Sequence, residues 1–484
     1  MTAVSLALLA FVAACASQET TVTRVMEVLG ADRLALSDVS RRELDRFGEI
    51  YKRYVSDPEA LESLDYFRFA FRRVRATYVR EVSDKEIVDA AIRGVEDTKP
   101  APRSLAPKKL VETALNAMLK SLDPHSDFMN AEEFEESFIS TRGEFGGLGI
   151  EVTMDKELVK VVSPIEDTPA ARAGLQPDDL ITHVDGKVIR GKRLSDAVSA
   201  MRGKPGTEIT LTIQREGRKP FDVTLVRAII KVWSVRWRLE GDVGYVRVTR
   251  FTEKVESGIA KALAQIQTGH EGELKGLVLD LRSNPGGLLD QSLILADAFL
   301  DHGVIVSVRG RDPEQEREYQ ASAGDLARNL PMVVLINRGS ASASEIVASA
   351  LQYHRRATVM GGRSFGKGSV QTIMPLPVEG ALRLTTALYY APDGKTIQAE
   401  GVHPDIVIRP EKSVEGEQRE QDLPGALPGE KNVANDNKPS IPEKDCPGAG
   451  EKNDRVLGCA LYFLRAGSTE QFLAKLAARE KRPS

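Results

Sequence analysis

At 484 residues, with 42% hydrophobic and 28% charged side chains, the chain is long enough for two or three domains with real cores. A formal net charge of -4 provides no basic footprint for nucleic acid. Past the N-terminus no apolar run reaches the roughly eighteen residues that suggest a membrane-spanning helix.

Residues 4–16 (VSLALLAFVAACA) are apolar, too short to span a bilayer, and end in Ala14-Cys15-Ala16. This reads as a secretory signal over 1–16, although no Lys or Arg precedes the apolar run. The alternative is a buried N-terminal helix. VAAC (12–15) also fits a bacterial lipobox, in which Cys15 is lipidated and anchors the chain. The expected location is the bacterial periplasm, free or membrane-anchored. Of the three cysteines, Cys446 and Cys459 remain. They form a disulfide in an oxidising compartment or stay as two thiols in a flexible tail.

A helical region covers 17–142. Ser40 and Glu43 have capping-box spacing, and Leu44, Phe47, Tyr51 and Tyr54 follow as a buried helical stripe. A second helix is predicted over about 60–80. Two similar short ones follow from Asp84 and Lys108, separated by the Pro-containing link 99–103. From 143 to 230 the period changes to that of strands. Ile150, Val152 and 158–162 are short β runs, and 178–184 leads into Asp185-Gly186, a hairpin signal. Leu194, Val198 and Met201 mark one helix, and 207–214 and 221–226 two more strands. Between 231 and 412 strands and helices alternate, which argues an α/β core. Beyond 412, Glu, Gly, Pro, Asn and Lys dominate, which predicts a disordered tail with a helical stretch within 456–478.

Two turns at the ends of buried strands could carry chemistry. DLRSNPGG (280–287) places paired glycines where backbone N–H groups can be presented. NRGSASASEI (337–346) ends a strand in small residues and hydroxyls just before a helix. By local pattern that is first a place for a helix cap, and otherwise for an exposed nucleophile. GGRSFGKG (361–368) nearly matches a phosphate loop, but Gly368 stands where Ser or Thr is needed, and a strand follows instead of a helix. The six histidines are scattered with no metal-ligand spacing. A Ser-His-Asp arrangement assembled across the fold stays open.

In combination, SLDPHS (121–126), FGGLGI (145–150), DLRSNPGG (280–287), SASASEI (340–346), FGKGSVQ (365–371) and GVHPDI (401–406) resemble the carboxyl-terminal processing peptidases, or tail-specific proteases. The resemblance implies a multidomain α+β chain: an N-terminal helical region, a PDZ domain at 143–230 and an α/β serine peptidase core of the ClpP/crotonase kind. It implies a nucleophile at Ser342, a base at Lys367 and a supporting amide at Gln371. Lys367 acts as a base only if burial or nearby cations lower its pKa. In one strand the four-residue spacing would put Lys367 and Gln371 on the same face. The oxyanion would be held by N–H groups of Ala343 and of Gly286 or Gly287. No metal or organic cofactor is needed. In the PDZ reading, the loop with Gly147, Leu148, Gly149 and Ile150 receives a C-terminal carboxylate, and Leu194, Val198 and Met201 line an apolar pocket. Expected partners are proteins with apolar C-terminal tails, an adaptor protein and a second copy bound through the helical region. The competing functions are a catalytically dead PDZ scaffold and a Ser-His hydrolase.

Overall fold

The computed structural model describes residues 36–165, 167–192, 194–231, 233–411, 418–430, 438–450 and 453–480. The predicted leader, with Cys15, lies outside the described residues.

Helix α1 (Asp38–Tyr54) opens on Ser37, whose Oγ accepts from the Ser40 N–H at 3.1 Å. The cap is thus three residues earlier than Ser40 and Glu43 predict. Ser40 is buried within the helix and donates to Asp84 Oδ2 at 2.6 Å. Leu44, Phe47, Tyr51 and Tyr54 are all buried, as their spacing predicts. Helices α2 (Leu61–Thr77), α3 (Asp84–Glu96) and α4 (Pro107–Lys120) pack with α1 around Phe47, Phe67, Phe71, Leu115 and Met118. Strand β1 (Asp127–Met129) and helix α5 (Ala131–Arg142) complete this region.

The β-rich module begins with β2 (Glu144–Gly147), β3 (Ile150–Asp155), β4 (Leu158–Pro164) and the turn of helix α6 (Pro169–Arg172). It continues through β5 (Leu180–Val184), β6 (Lys187–Val188), α7 (Leu194–Met201), β7 (Glu208–Gln214), β8 (Phe221–Val226) and β9 (Ala228–Lys231). Asp185 and Gly186 both have positive φ, 49° and 72°, as the predicted two-residue hairpin requires. The main sheet runs β3-β4-β5-β7-β8, which leaves β3 at an edge, and β2 pairs antiparallel with β9 where the module joins the rest of the chain.

The core comprises β10 (Val235–Glu240), β11 (Val243–Val248), α8 (Val255–Thr268), β12 (Gly276–Asp280), α9 (Leu289–Asp297), β13 (Val304–Gly310) and β14 (Arg317–Gln320). Then come β15 (Met332–Ile336), α10 (Ala343–Tyr353), β16 (Thr358–Gly361), β17 (Ser369–Pro375), β18 (Ala381–Tyr390) and β19 (Ile406–Arg409). Beyond 412 lie β20 (Ser440–Pro442), α11 (Arg455–Ala466) and α12 (Thr469–Glu480). A seven-stranded sheet runs β10-β11-β12-β15-β16-β19-β20, parallel from β11 onward. β12 and β15 are buried at every position, which is why they read as apolar runs, broken only by Asp280 at the end of β12. A second sheet runs β1-β18-β13-β14, with β17 also on β18.

Two boundaries drawn from composition move. The described residues beyond 412 are not a disordered tail. β20 extends the parallel sheet, and α11 and α12 bury Leu457, Leu461, Leu464 and Phe472 against it. Cys446 and Cys459 are joined in a disulfide there. Apolar residues are sparse up to 454, but 456–464 (VLGCALYFL) is a nearly continuous apolar run, and the sheet supplies the surface it packs against. The helical region is likewise not self-contained. β1 pairs with β18, and Leu376, Leu382 and Leu384 complete the helical core. Leu384→Ala, fully buried at this junction, should cost about 2–5 kcal/mol. A denaturant midpoint shift at unchanged slope, with loss of helical and peptidase cores together, checks it.

Candidate active site

Strand β15 delivers a turn in which three serines alternate with alanine. The Ser340 hydroxyl donates to the Leu281 carbonyl at 2.8 Å, and that of Ser344 to the Asn284 carbonyl at 3.0 Å. Both are buried. Ser342, between them, is only half-buried and has φ 54° and ψ -114° at the N-cap of α10. A side chain in that region costs about 1–3 kcal/mol, so the surrounding structure must hold it there.

What holds it is Glu345, one turn into α10 and fully buried. Its Oε2 accepts from the Ser342 N–H at 2.7 Å and from the Lys367 N–H at 2.9 Å. Its Oε1 accepts from the Ser364 hydroxyl at 2.6 Å and the Gly366 N–H at 2.7 Å. One carboxylate therefore fastens the serine turn to the lysine loop. Burial pushes its pKa up to about 7, against four donated hydrogen bonds that favour the ionised form.

Lys367 lies just before β17 and is half-buried. Desolvation pushes its ammonium below the ordinary lysine value; Glu420, Asp123 and Glu345 oppose this, and Arg383 adds to it. Gly368 follows because the backbone of Gln398 passes there: a Cβ at 368 would sit 2.2 Å from the Gln398 nitrogen. The position that spoils the phosphate-loop pattern is thus a packing site, and the strand predicted after it is β17.

Gln371 is held by the β17–β18 pairing and not by the strand period expected of it. Lys367 precedes the strand, and the β17–β18 register shifts between Val370 and Gln371, so simple alternation does not relate the two. Instead, Gln371 Nε2 donates to Ser369 Oγ at 2.9 Å and to Thr385 Oγ1 at 3.3 Å. Thr385 in turn donates to Asp123 at 3.1 Å, and Ser126 donates to the same carboxylate at 2.7 Å. The SLDPHS segment therefore sits behind Gln371 as its support.

The glycine turn meets the serine turn directly. Gly286 has φ 97°, and a Cβ there would lie 2.9 Å from Ser342 Cβ, so only glycine fits. Its N–H is occupied by Asn284 Oδ1 at 2.9 Å, while Asn284 Nδ2 holds the Val248 carbonyl. Among the described residues nothing accepts from the N–H groups of Gly287 or Ala343. Arg282, which precedes the turn, is clamped between Asp280 and Asp454, each at 2.6 Å. Among the described residues no group of three His, Cys, Asp or Glu side chains is placed to hold a metal. His125 pairs with Glu420, His183 with Thr182 and His354 with the Val304 carbonyl.

Residues 242–408 match the model of peptidase family S41, and 160–215 match a PDZ domain. A carboxy-terminal-processing protease of Bartonella bacilliformis is 58% identical over 310 residues, covering 63% of this chain and 71% of that protein. The chain belongs to peptidase family S41. It is a serine-type peptidase with a PDZ domain. A probable CtpA-like serine protease of Staphylococcus epidermidis is 37% identical over 303 residues, covering 62% of this chain and 61% of that one. Among solved structures, a photosystem II D1 C-terminal processing protease is 28% identical, with a TM-score of 0.44, over 72% of this chain and 92% of its own.

In this S41 peptidase the PDZ residues also converge. Leu148 and Met201 are buried in the module's core, with Ile150, Leu194 and Val198 packed against it. β3 keeps its outer edge unpaired in the sheet, and the N–H groups of Leu148 and Gly149 have no acceptor among the described residues. A separate cavity of about 620 Å3 lies where α5, the PDZ module and the core meet, lined by Ile139, Phe145, Arg202 and Arg250.

Glu345, Asn284, Asp123 and Asp454 carried no role in the sequence reading. Glu345 and Asp454 each left a local signal, since Ser342-x-x-Glu345 has capping-box spacing and Asp454 stands at the N-cap before an apolar helical run. Glu345→Gln would turn an NH2 group toward backbone donors. It should lower kcat about a hundredfold or more with a smaller change in KM, and steady-state kinetics beside a thermal melt measure both effects.

Proposed function

We propose that this peptidase cuts proteins that it selects by their C-terminal tails, with Ser342 as nucleophile and Lys367 as base. The observation that carries this reading is the shared Glu345 oxygen, which binds the backbone of both residues. Neutral Lys367 takes the Ser342 proton as Oγ attacks the scissile carbonyl, and returns it to the leaving amine. Gln371, with its Nε2 engaged, offers its oxygen to orient the lysine amine. The tetrahedral oxyanion is held by the N–H groups of Gly287 and Ala343. Gly286 shapes that site instead of donating to it, because its N–H is already taken up by Asn284.

Substrate tails add to the open edge of β3, with the carboxylate on the Leu148 and Gly149 N–H groups and the last side chain against Leu194, Val198 and Met201. The names of the curated relatives, carboxy-terminal-processing proteases among them, support this substrate class.

Ser342→Ala and Lys367→Ala should each abolish cleavage of an unfolded protein, and the double variant should be no worse than either. In wild type, kcat/KM should rise with pH. A protonated amine cannot accept a proton, and burial places its loss below the ordinary lysine range. A midpoint in the histidine range, removed by replacing one histidine, would make the enzyme a Ser-His hydrolase.

The PDZ reading has its own test. A short peptide ending in an apolar residue should bind the full-length Ser342→Ala protein, and amidating its terminus should weaken binding at least tenfold, since a charged carboxylate loses its N–H partners. Equal calorimetric affinity for the two peptides would refute carboxylate recognition.

A further inference from the structure

Residues 418–430 cross the lysine loop, past residue 408 where the peptidase match ends. Arg419 Nη1 donates to the Ser364 carbonyl at 2.8 Å, and the Glu420 N–H to the Phe365 carbonyl at 3.2 Å. The Glu420 side chain is fully buried. Its Oε1 accepts from Gln398 Nε2 at 2.9 Å, and Gln398 Oε1 accepts from the Gly368 N–H at 3.0 Å. Glu420 therefore reaches both flanks of Lys367, directly at Phe365 and through Gln398 at Gly368. Its Oε2 meets His125 Nε2 at 2.8 Å, at the end of the segment that also supports Gln371.

We infer that Glu420 is a positioning residue for Lys367: it clamps the lysine loop on both flanks, independently of Glu345, and places a buried carboxylate beside that loop. The inference rests on Lys367 being the base. The charged groups around the amine are Glu420, Asp123 and Glu345 on the negative side and Arg383 on the positive side. Arg383 is itself paired with Asp127. Desolvation favours the neutral amine, and Glu420 opposes it, which keeps Lys367 from losing its proton at too low a pH. A buried carboxylate needs partners of its own, and His125 and Gln398 are those partners.

The test is the pH profile of kcat/KM for the full chain, for wild type, Glu420→Gln, Glu420→Asp, His125→Asn and Lys367→Ala. Glu420→Gln removes the charge but keeps the shape, so the midpoint should move to lower pH while the plateau falls as the loop loosens. Glu420→Asp retracts the charge by one methylene and should give a midpoint between the two. It also serves if the Gln variant does not fold. His125→Asn leaves the carboxylate in place and should not lower the midpoint. Lost plateau activity at an unmoved midpoint in both Glu420 variants would reduce Glu420 to a packing residue and overturn the inference. An active Lys367→Ala enzyme would instead overturn the base assignment; an inactive one with unmoved midpoints sinks this inference alone.

Discussion

A single buried carboxylate organises the site. Glu345 has no solvent contact, and all four of its hydrogen-bond donors come from the two segments that it joins: the turn at Ser342 and the loop at 364–367. An ion in that place is tolerated only while its partners stay in place, because an unpartnered buried charge costs several kcal/mol. The strained backbone at Ser342 and the glycine-rich approach of the Lys367 loop both persist because leaving them would strip this carboxylate of partners.

The site is built from distant parts of the chain. SLDPHS, between α4 and β1, reaches Gln371 through Thr385, and reaches Glu420 through His125. Asp454, the N-cap of α11, clamps Arg282 at the head of the glycine turn. The helical region and the C-terminal segment are therefore parts of one catalytic body. Their shared apolar cores with the two sheets explain why neither needs a complete core of its own.

The PDZ module stands apart from this body in its hydrophobic core, and joins it through the β2–β9 ribbon and the contacts around α5. Its open sheet edge and its unused N–H groups are features of a strand-accepting surface. The 620 Å3 cavity at the junction shows that the module and the core are not packed solidly there.

Much was legible in the sequence, and for local reasons. Helical stripes such as Leu44 to Tyr54, largely apolar strands such as β12 and β15, and the Asp185-Gly186 hairpin follow from side-chain period and turn chemistry over a few residues. Ser342, Lys367, Gln371 and the glycine turn stood out as motifs. The first cap was misplaced because Ser40 with Glu43 fits the capping box and Ser37 does not, and only packing decided that Ser40 turns inward to Asp84. Glu420 read as a charge in a polar tail, since its side-chain partners His125 and Gln398 lie 295 and 22 residues away; Asp454 stands just before the apolar run 456–464, where a helix cap belongs, but nothing local points to Arg282, 172 residues away. The same reason hid the support of Gln371, which runs through a register shift in β18 and not through the period of a strand. Sequence by itself determined which elements form and which groups are chemically able. The tertiary structure alone decided which buried charges face one another, because that depends on contacts between segments that local pattern cannot bring together.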